Sequence, residues 1–336
     1  MYGVLVTLLK KASIALILFS LYAGADMEYE LGTGKEINQN FNIGGYITTE
    51  YIHDEHKEED TFKVDDLAFL GYGRLKEFSY LVELELKNPY VYRHAHSKSK
   101  ISTDKRLNTE RLYLRYDRGD NLTLRFGKFN TPIGFWNLYP INILRATTSN
   151  PVLTQTIFPK LTTGLNIGYN TLKNSNLMYQ LYVQMNNDLD NDYNNFSLKR
   201  HVGFGLSYLV ADVTFSSNIG YFKTSDFEKS ERQYLLVGAK YEGESLEVMS
   251  EVATQRVNLD SGIEYSGYLQ ASYLLGEKHS VILRLEAYED KIRSEKDEIA
   301  ILGYTYRPQF PIVLKCEYQW HSSQDDKFLL SASVLF

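Results

Sequence analysis

Apolar and polar residues alternate with a period of two along segment after segment of this chain. Leu112, Leu114 and Tyr116 alternate with Arg111, Tyr113 and Arg115, and Leu122, Leu124 and Phe126 with Thr123 and Arg125. Val82, Leu84 and Leu86 alternate with Glu83, Glu85 and Lys87; Val281, Leu283 and Leu285 with Ile282, Arg284 and Glu286; Leu314 and Cys316 with Lys315 and Glu317. On a strand, successive side chains point to opposite faces, so each segment has one oily and one charged face. A helical reading would put Leu112 on one side with Arg111 and Arg115.

Segments of this kind recur at 40–53, 63–74, 78–87, 108–117, 121–128, 161–170, 177–186, 200–209, 210–222, 232–242, 245–256, 263–275, 278–289, 297–306, 311–320 and 327–336. Their length suits a tilted membrane strand, and an even number suits a closed antiparallel wall. The connectors alternate as well. His53–Thr61, Asn88–Leu107, Phe129–Lys160, Asn187–Lys199 and Lys223–Glu231 are long, whereas Arg118–Asp120, Glu242–Glu244 and Gly276–Lys278 are short. Long loops at one end and short turns at the other mark a barrel spanning the bacterial outer membrane. The expected fold is therefore all-β: a transmembrane antiparallel β-barrel of about sixteen strands.

The first 25 residues place Lys10 and Lys11 before an apolar run, Ala12–Leu21, followed by Ala23 and Ala25. The run is too short to span a membrane as a helix and fits a secretory signal. Residues 1–25 are thus read as a signal peptide and 26–336 as one barrel domain. Without Met1–Ala25 the chain keeps 34 basic and 42 acidic residues, a net charge of −8, which argues against a nucleic-acid partner. Cys316 is the only cysteine, so no internal disulfide is available. Mean hydropathy is −0.32, as a barrel wall with one wet face allows.

Among 27 tyrosines and 17 phenylalanines, Tyr51, Tyr116, Phe129, Tyr169, Tyr221, Tyr241, Tyr288 and Trp320 fall near segment ends, where rings suit a membrane interface. The last segment, KFLLSASVLF, puts Phe328, Leu330, Ala332, Val334 and Phe336 on one face. Its terminal aromatic residue resembles the C-terminal assembly signal of outer-membrane proteins.

Sixteen strands leave an aqueous channel, so something must narrow it. The longest connector, Phe129–Lys160, carries Pro132, Pro140, Pro151 and Pro159 together with Phe135, Trp136, Leu138, Tyr139 and Ile141. A loop this apolar avoids water by folding against the barrel wall. The stretch RFGKFNTPIGFWN, with Gly127, Lys128, Phe129, Pro132 and Gly134, resembles the GKF-x-x-P-x-G stretch of the phosphate-selective porin family. That resemblance implies a passive, trimeric, anion-preferring pore with the loop after the fifth strand folded inward as a constriction containing Pro132, Gly134 and Trp136. Arg111, Arg115, Arg125, Lys128, Arg145, Arg284, Lys315, Glu83 and Glu85 are the expected pore-lining charges. Between Phe129 and Pro159 the chain holds Arg145 and no carboxylate, which favours a weak preference for anions. Against this stand Glu83, Glu85, Glu247, Glu251, Glu286 and Glu317 on polar faces.

Clusters that suggest other chemistry read more simply as wet loops. His53, Asp54, Glu55 and His56 contain zinc-binding residue types but sit in an acidic run, and His94 and His96 lie in another long connector. Asn187–Asp192 lacks the Gly and terminal Glu of a calcium loop. No nucleophile elbow, P-loop or HExxH motif is present. No metal, cofactor or catalytic residue is assigned. The expected partners are outer-membrane lipid and lipopolysaccharide, two further copies of the chain, and small hydrophilic or anionic solutes. The alternatives are a barrel enzyme or adhesin without a conducting pore, and a secreted soluble all-β carbohydrate-binding protein.

Overall fold

The computed structural model describes residues 34–336 except 56, 97, 120, 140, 172–175, 191–193, 226–229 and 259. The signal-peptide expectation, Pro140 and His56 lie outside the described residues. The strands are β1 (Lys35–Asn38), β2 (Phe41–Asp54), β3 (Glu59–Leu75), β4 (Phe78–Ala95), β5 (Lys98–Ser102), β6 (Leu107–Arg118), β7 (Leu122–Asn130), β8 (Leu161–Asn170) and β9 (Leu177–Gln184). They continue as β10 (Leu198–Val210), β11 (Val213–Thr224), β12 (Glu231–Glu242), β13 (Leu246–Val257), β14 (Asp260–Leu275), β15 (His279–Asp290), β16 (Glu295–Gln309), β17 (Ile312–His321) and β18 (Lys327–Leu335).

Sixteen of these form the ring. From β2 each pairs antiparallel with the next, β4 passing to β6, until β18 returns to β2 with Leu335 opposite Tyr46. All sixteen expected segments are strands of this ring. The two remaining strands had no counterpart in the sequence reading. The short β1 pairs with β2, and β5 pairs only with the upper end of β4, Val91 opposite Ser102. Two connectors read as loops are largely strand: β3 starts at Glu59, and β4 runs to Ala95 before β5 folds back on it.

The wall is inside-out relative to a soluble protein. On β15, Val281, Leu283 and Leu285 face outward and Leu283 is 51% exposed, whereas Ile282, Arg284 and Glu286 are buried inside and Arg284 is 0% exposed. Phe126, Ile219, Leu235 and Leu302 repeat the outward pattern. An oily band outside and charge within satisfies a bilayer, and the closed ladder leaves no unpaired edge in it. Of the expected interface rings, Tyr169, Tyr241 and Trp320 are exposed, while Phe129 and Tyr288 are buried.

The connector after β7 does not stay at the rim. It turns twice as 3-10 helix, Trp136–Leu138 and Asn142–Leu144, forms the short helix α1 (Val152–Thr156), and buries Ile133, Phe135, Trp136, Ile141, Ile143, Leu153, Ile157 and Phe158. Ile133, Leu153, Ile157 and Phe158 pack with Tyr182, Leu198, Phe222, Tyr234 and Leu236, filling the β9–β13 side of the lumen with apolar side chains. His201 is buried there, bonded to the Thr162 hydroxyl at 3.0 Å and the Tyr234 hydroxyl at 2.9 Å.

Candidate functional site

The loop is held by glutamates from alternate strands on the wall it crosses to. Glu251 on β13 accepts the Phe135 N–H at 2.7 Å, Glu286 on β15 the Val152 N–H at 2.8 Å, and Glu317 on β17 the Thr148 N–H at 2.9 Å. Cations on the same strands take the loop's oxygens. Arg284 donates to Thr147 Oγ1 and Ser149 Oγ, and Lys315 Nζ donates to Asn142 Oδ1 at 2.9 Å and to the Thr147 carbonyl at 3.1 Å. Loop backbone held away from its own secondary structure needs such partners, because a buried unpaired amide or carbonyl is costly. Arg284, Lys315, Glu251, Glu286 and Glu317 thus face the lumen as loop anchors, covered by the loop.

Pro132, Gly134 and Trp136 sit at the first bend. The Pro132 carbonyl accepts from Asn218 Nδ2 at 3.3 Å, and the Gly134 N–H donates to Asn218 Oδ1 at 3.1 Å. Gly134 has φ +63°, and a Cβ there would lie 2.0 Å from Glu251 Oε1. Only glycine meets both conditions at low cost. Trp136 is 3% exposed, donates to Asn150 Oδ1 at 3.0 Å, and stacks edge-on against Tyr268, with the Arg284 guanidinium 5.3 Å from its ring centre.

With one side filled, the open space lies between the loop and the wall of β2, β3, β4 and β6. This cleft has a volume of about 320 Å³. Its wall presents Glu50, Lys63, Asp65, Asp66, Glu85, Lys87 and Glu110, and its loop side Asn137, Tyr139, Arg145, Ser149, Asn150, Gln155 and Lys160. Lys63 bridges Glu50, at 2.9 Å, and Asp65. Below them the Tyr46 hydroxyl lies 2.9–3.1 Å from oxygens of Glu83, Glu85 and Glu110. These three carboxylates converge within 4.8 Å of one another, the one group among the described residues with spacing suited to a cation. Arg111 already bonds Glu83.

On the loop, Arg145 Nε donates to the Tyr139 carbonyl at 2.9 Å, and Lys160 Nζ to Gln155 Oε1 at 2.7 Å. Burial, reinforced by Arg145 and Lys87, lowers the Lys160 amine to about 7. Burial also lowers Arg145, although Asp66 and Glu110 favour its charge.

Of the expected pore charges, Glu85 and Arg145 meet across this cleft, and Glu83 and Arg111 pair just beneath it. Arg115 and Arg125 share the lumen face; Arg115 pairs with Asp117 at 2.8 Å, and Arg125 lies over the rings of Tyr113 (4.9 Å) and Phe129 (5.6 Å). Lys128 is elsewhere. Its register opposite Leu112 puts it on the outer face, where it is buried and donates to the Thr109 and Asp190 carbonyls at 2.8 and 2.6 Å. The sequence reading omitted Tyr46, Glu50, Asp66, Glu110 and Lys160. The pairing of β2 with β3 shifts register at Thr48/Thr49, that of β3 with β4 at Val64/Asp66, and that of β4 with β6 opposite Glu110. The bulges on β3 and β6 invert the parity that simple alternation assumes around Asp66 and Glu110, whereas Tyr46 and Glu50 keep the alternation of β2 and Lys160 lies just before β8.

The sequence model that describes Gram-negative porins matches residues 12–320. A comparison with curated protein sequences gave no significant match. Among solved structures, the fold is similar to that of the anion-selective porin from Comamonas acidovorans, at 13% identity over 88% of this chain and 99% of that one, with a TM-score of 0.62. It is also similar to Salmonella typhi OmpF in complex with daunomycin (12% identity, 89% and 98% covered, TM-score 0.63). The trimer form of Vibrio cholerae OmpT matches at 12% identity, 88% and 99% covered, with a TM-score of 0.62.

Proposed function

We infer the selectivity of this pore from one premise: the chain belongs to the Gram-negative porin family and works in the bacterial outer membrane as a channel for passive diffusion of small hydrophilic solutes. The observation that carries the selectivity is the near balance of charge along the cleft. Glu50, Asp65, Asp66, Glu85 and Glu110, five carboxylates, meet three cations, Lys63, Lys87 and Arg145, and Lys160, an amine about half protonated near pH 7. Charge at the narrowest point dominates selectivity, so near-balance gives a pore that passes both signs of ion. Discrimination between potassium and chloride stays within about threefold. Reversal potentials in a KCl gradient across a planar bilayer test this, and discrimination beyond about tenfold in either direction would overturn it.

A second reading, weak anion preference, is favoured by the loop side of the cleft, where Arg145 and Lys160 face the solute without a loop carboxylate. One of the similar structures is named an anion-selective porin, which agrees with it. The sign of the same reversal potential separates the two. The protein acts as a channel without catalysis, with Arg284, Lys315, Glu251, Glu286 and Glu317 as loop anchors rather than acid–base groups. It assembles as a homotrimer, as the trimer form of the OmpT structure suggests by similarity of fold. Chemical crosslinking in detergent would show a three-chain species.

A further inference from the structure

Where the constriction loop leaves the wall, the ladder between β6 and β7 comes apart. Its last pair is Leu112 opposite Lys128. Above that pair β6 continues to Leu107, while β7 stays with β8 as far as Asn130 opposite Leu161 and then turns inward. The β6 backbone in this stretch takes partners from elsewhere, as amides and carbonyls in a membrane wall must.

A strap, Asp188–Asp190 in the connector after β9, supplies them. It crosses the outer face over β8, where the Leu189 N–H donates to Thr163 Oγ1 at 3.3 Å. It then passes over β7 to β6, where Asp190 Oδ2 accepts the Thr109 N–H at 2.9 Å. Lys128 stands in one outward row with Leu112 and Thr163 and is fully buried beneath the strap. Its ammonium donates to the Asp190 carbonyl at 2.6 Å and to the Thr109 carbonyl at 2.8 Å. Both backbone groups of Thr109 are thus held by charged side chains, through hydrogen bonds about twice as strong as neutral ones.

The residue after Thr109 is Glu110, the extra residue of the β6 bulge: Arg111 pairs with Glu83, and Thr109 with Leu84. The bulge turns Glu110 into the cleft. That pose does not hold itself. The Glu110 carboxylate lies within 4.8 Å of those of Glu83 and Glu85, and the Tyr46 hydroxyl has one proton to share among the three. Like charges this close repel, so the inward pose depends on the backbone that carries it.

We propose that Lys128 and Asp190 are positioning residues for ion selectivity: without touching the solute, they clamp Thr109 from the outer face and so keep the Glu110 carboxylate in the pore. This role presumes that charge along the cleft sets selectivity, the reading proposed for the pore, and places one determinant of that charge outside the channel. It also gives a reason for a lysine on an outward row where Leu112 and Phe126 face oil.

Reversal potentials of the whole protein in a planar bilayer, in a KCl gradient at low salt, test the clamp. Lys128→Met shifts the permeability ratio toward chloride by about twofold, as Glu110→Gln does, and adds nothing to Glu110→Gln. The sign separates two causes, because loss of a cation acting through its own charge moves the ratio toward potassium. Asp190→Ala, which leaves Lys128 in place, gives the same shift and the same dependence on Glu110. A shift of Lys128→Met toward potassium, or additivity with Glu110→Gln, overturns the proposal. So does a lower temperature of the folded-to-unfolded mobility shift with the ratio unchanged.

A second readout does not pass through selectivity. Glu110→Cys combined with Cys316→Ser leaves a single thiol, which a cationic methanethiosulfonate reagent entering the lumen modifies, with a change in conductance. Adding Lys128→Met slows that modification about fivefold, because the thiol no longer points into the pore. An unchanged rate overturns the clamp. Should Glu110→Gln leave the permeability ratio unaltered, the reading of selectivity fails, and the thiol rate alone decides whether Lys128 positions residue 110.

Discussion

Glu251 accepts the backbone N–H of Phe135 at 2.7 Å across 116 residues of sequence, and the same carboxylate accepts the Tyr268 hydroxyl at 2.5 Å. One side chain thus fixes the first bend of the constriction loop to the wall it crosses to. Replacing it removes the acceptor for Phe135 and, at 3.3 Å, for Trp136, leaving buried donors without partners. Glu251→Ala lowers stability by about 1–3 kcal/mol, read as a lower temperature of the folded-to-unfolded mobility shift on gels. Single-channel records of the variant show conductance levels that the unaltered protein does not populate.

Gly134→Ala strikes the same joint from the loop side. The added methyl group meets Glu251 Oε1 on a backbone with φ +63°. The combined clash and strain cost about 1–3 kcal/mol and displace the bend. In a double variant with Glu251→Ala the two effects are less than additive, because the second change removes the atom with which the first collides.

Lys160 gives the cleft a charge that depends on pH. Its amine, depressed to about 7, is protonated below that pH and neutral above it. Chloride permeability relative to potassium therefore falls between about pH 6 and about pH 8. Lys160→Gln removes that step and fixes the pore in its high-pH behaviour. A pH-independent permeability ratio in the unaltered protein would contradict this.

Glu110 contributes the opposite sign from the opposite wall. Glu110→Gln shifts the permeability ratio toward chloride by about twofold at low salt, and the shift shrinks as ionic strength rises. An equal shift at 0.1 M and 1 M KCl (about 10 and about 3 Å screening lengths) would show that Glu110 does not face the solution.

Phe336 closes the ring. Its N–H donates to the Gly45 carbonyl at 2.9 Å and its carbonyl accepts the Gly45 N–H at 2.8 Å, extending the β18–β2 ladder by one pair. Deleting Phe336 removes both bonds and the ring that lies against Gly45. The truncated chain yields less heat-modifiable barrel after refolding into detergent, while barrels that do form conduct normally.

The strands were readable in the sequence because the bilayer enforces one rule along most of their length: Leu112, Leu283 and Phe126 face oil, and Arg284 and Glu286 face the interior. The inward loop was readable too, since Trp136 and Ile141 could not remain in water. What alternation could not place were residues at bulges. Glu110 shares parity with the outward Leu112, yet it turns into the cleft. Lys128 shares parity with Phe126 and stays outside, though the charge alone suggested the lumen. The anchoring roles of Lys315 and Arg284 were hidden for another reason: their partners are backbone and side-chain oxygens of Asn142, Thr147 and Ser149, whose positions depend on the path of the loop.

The seam between β2 and β18 joins residues 285 positions apart, Thr48 to Ser333 at 3.0 Å. Until the final strand is available, the first has an open edge of unsatisfied amides and carbonyls, and every partial sheet is a template for mispairing. Such a chain cannot mature gradually from its beginning; it has to be kept from sticking to itself or its neighbours while it crosses to its destination, and then shut in one late event.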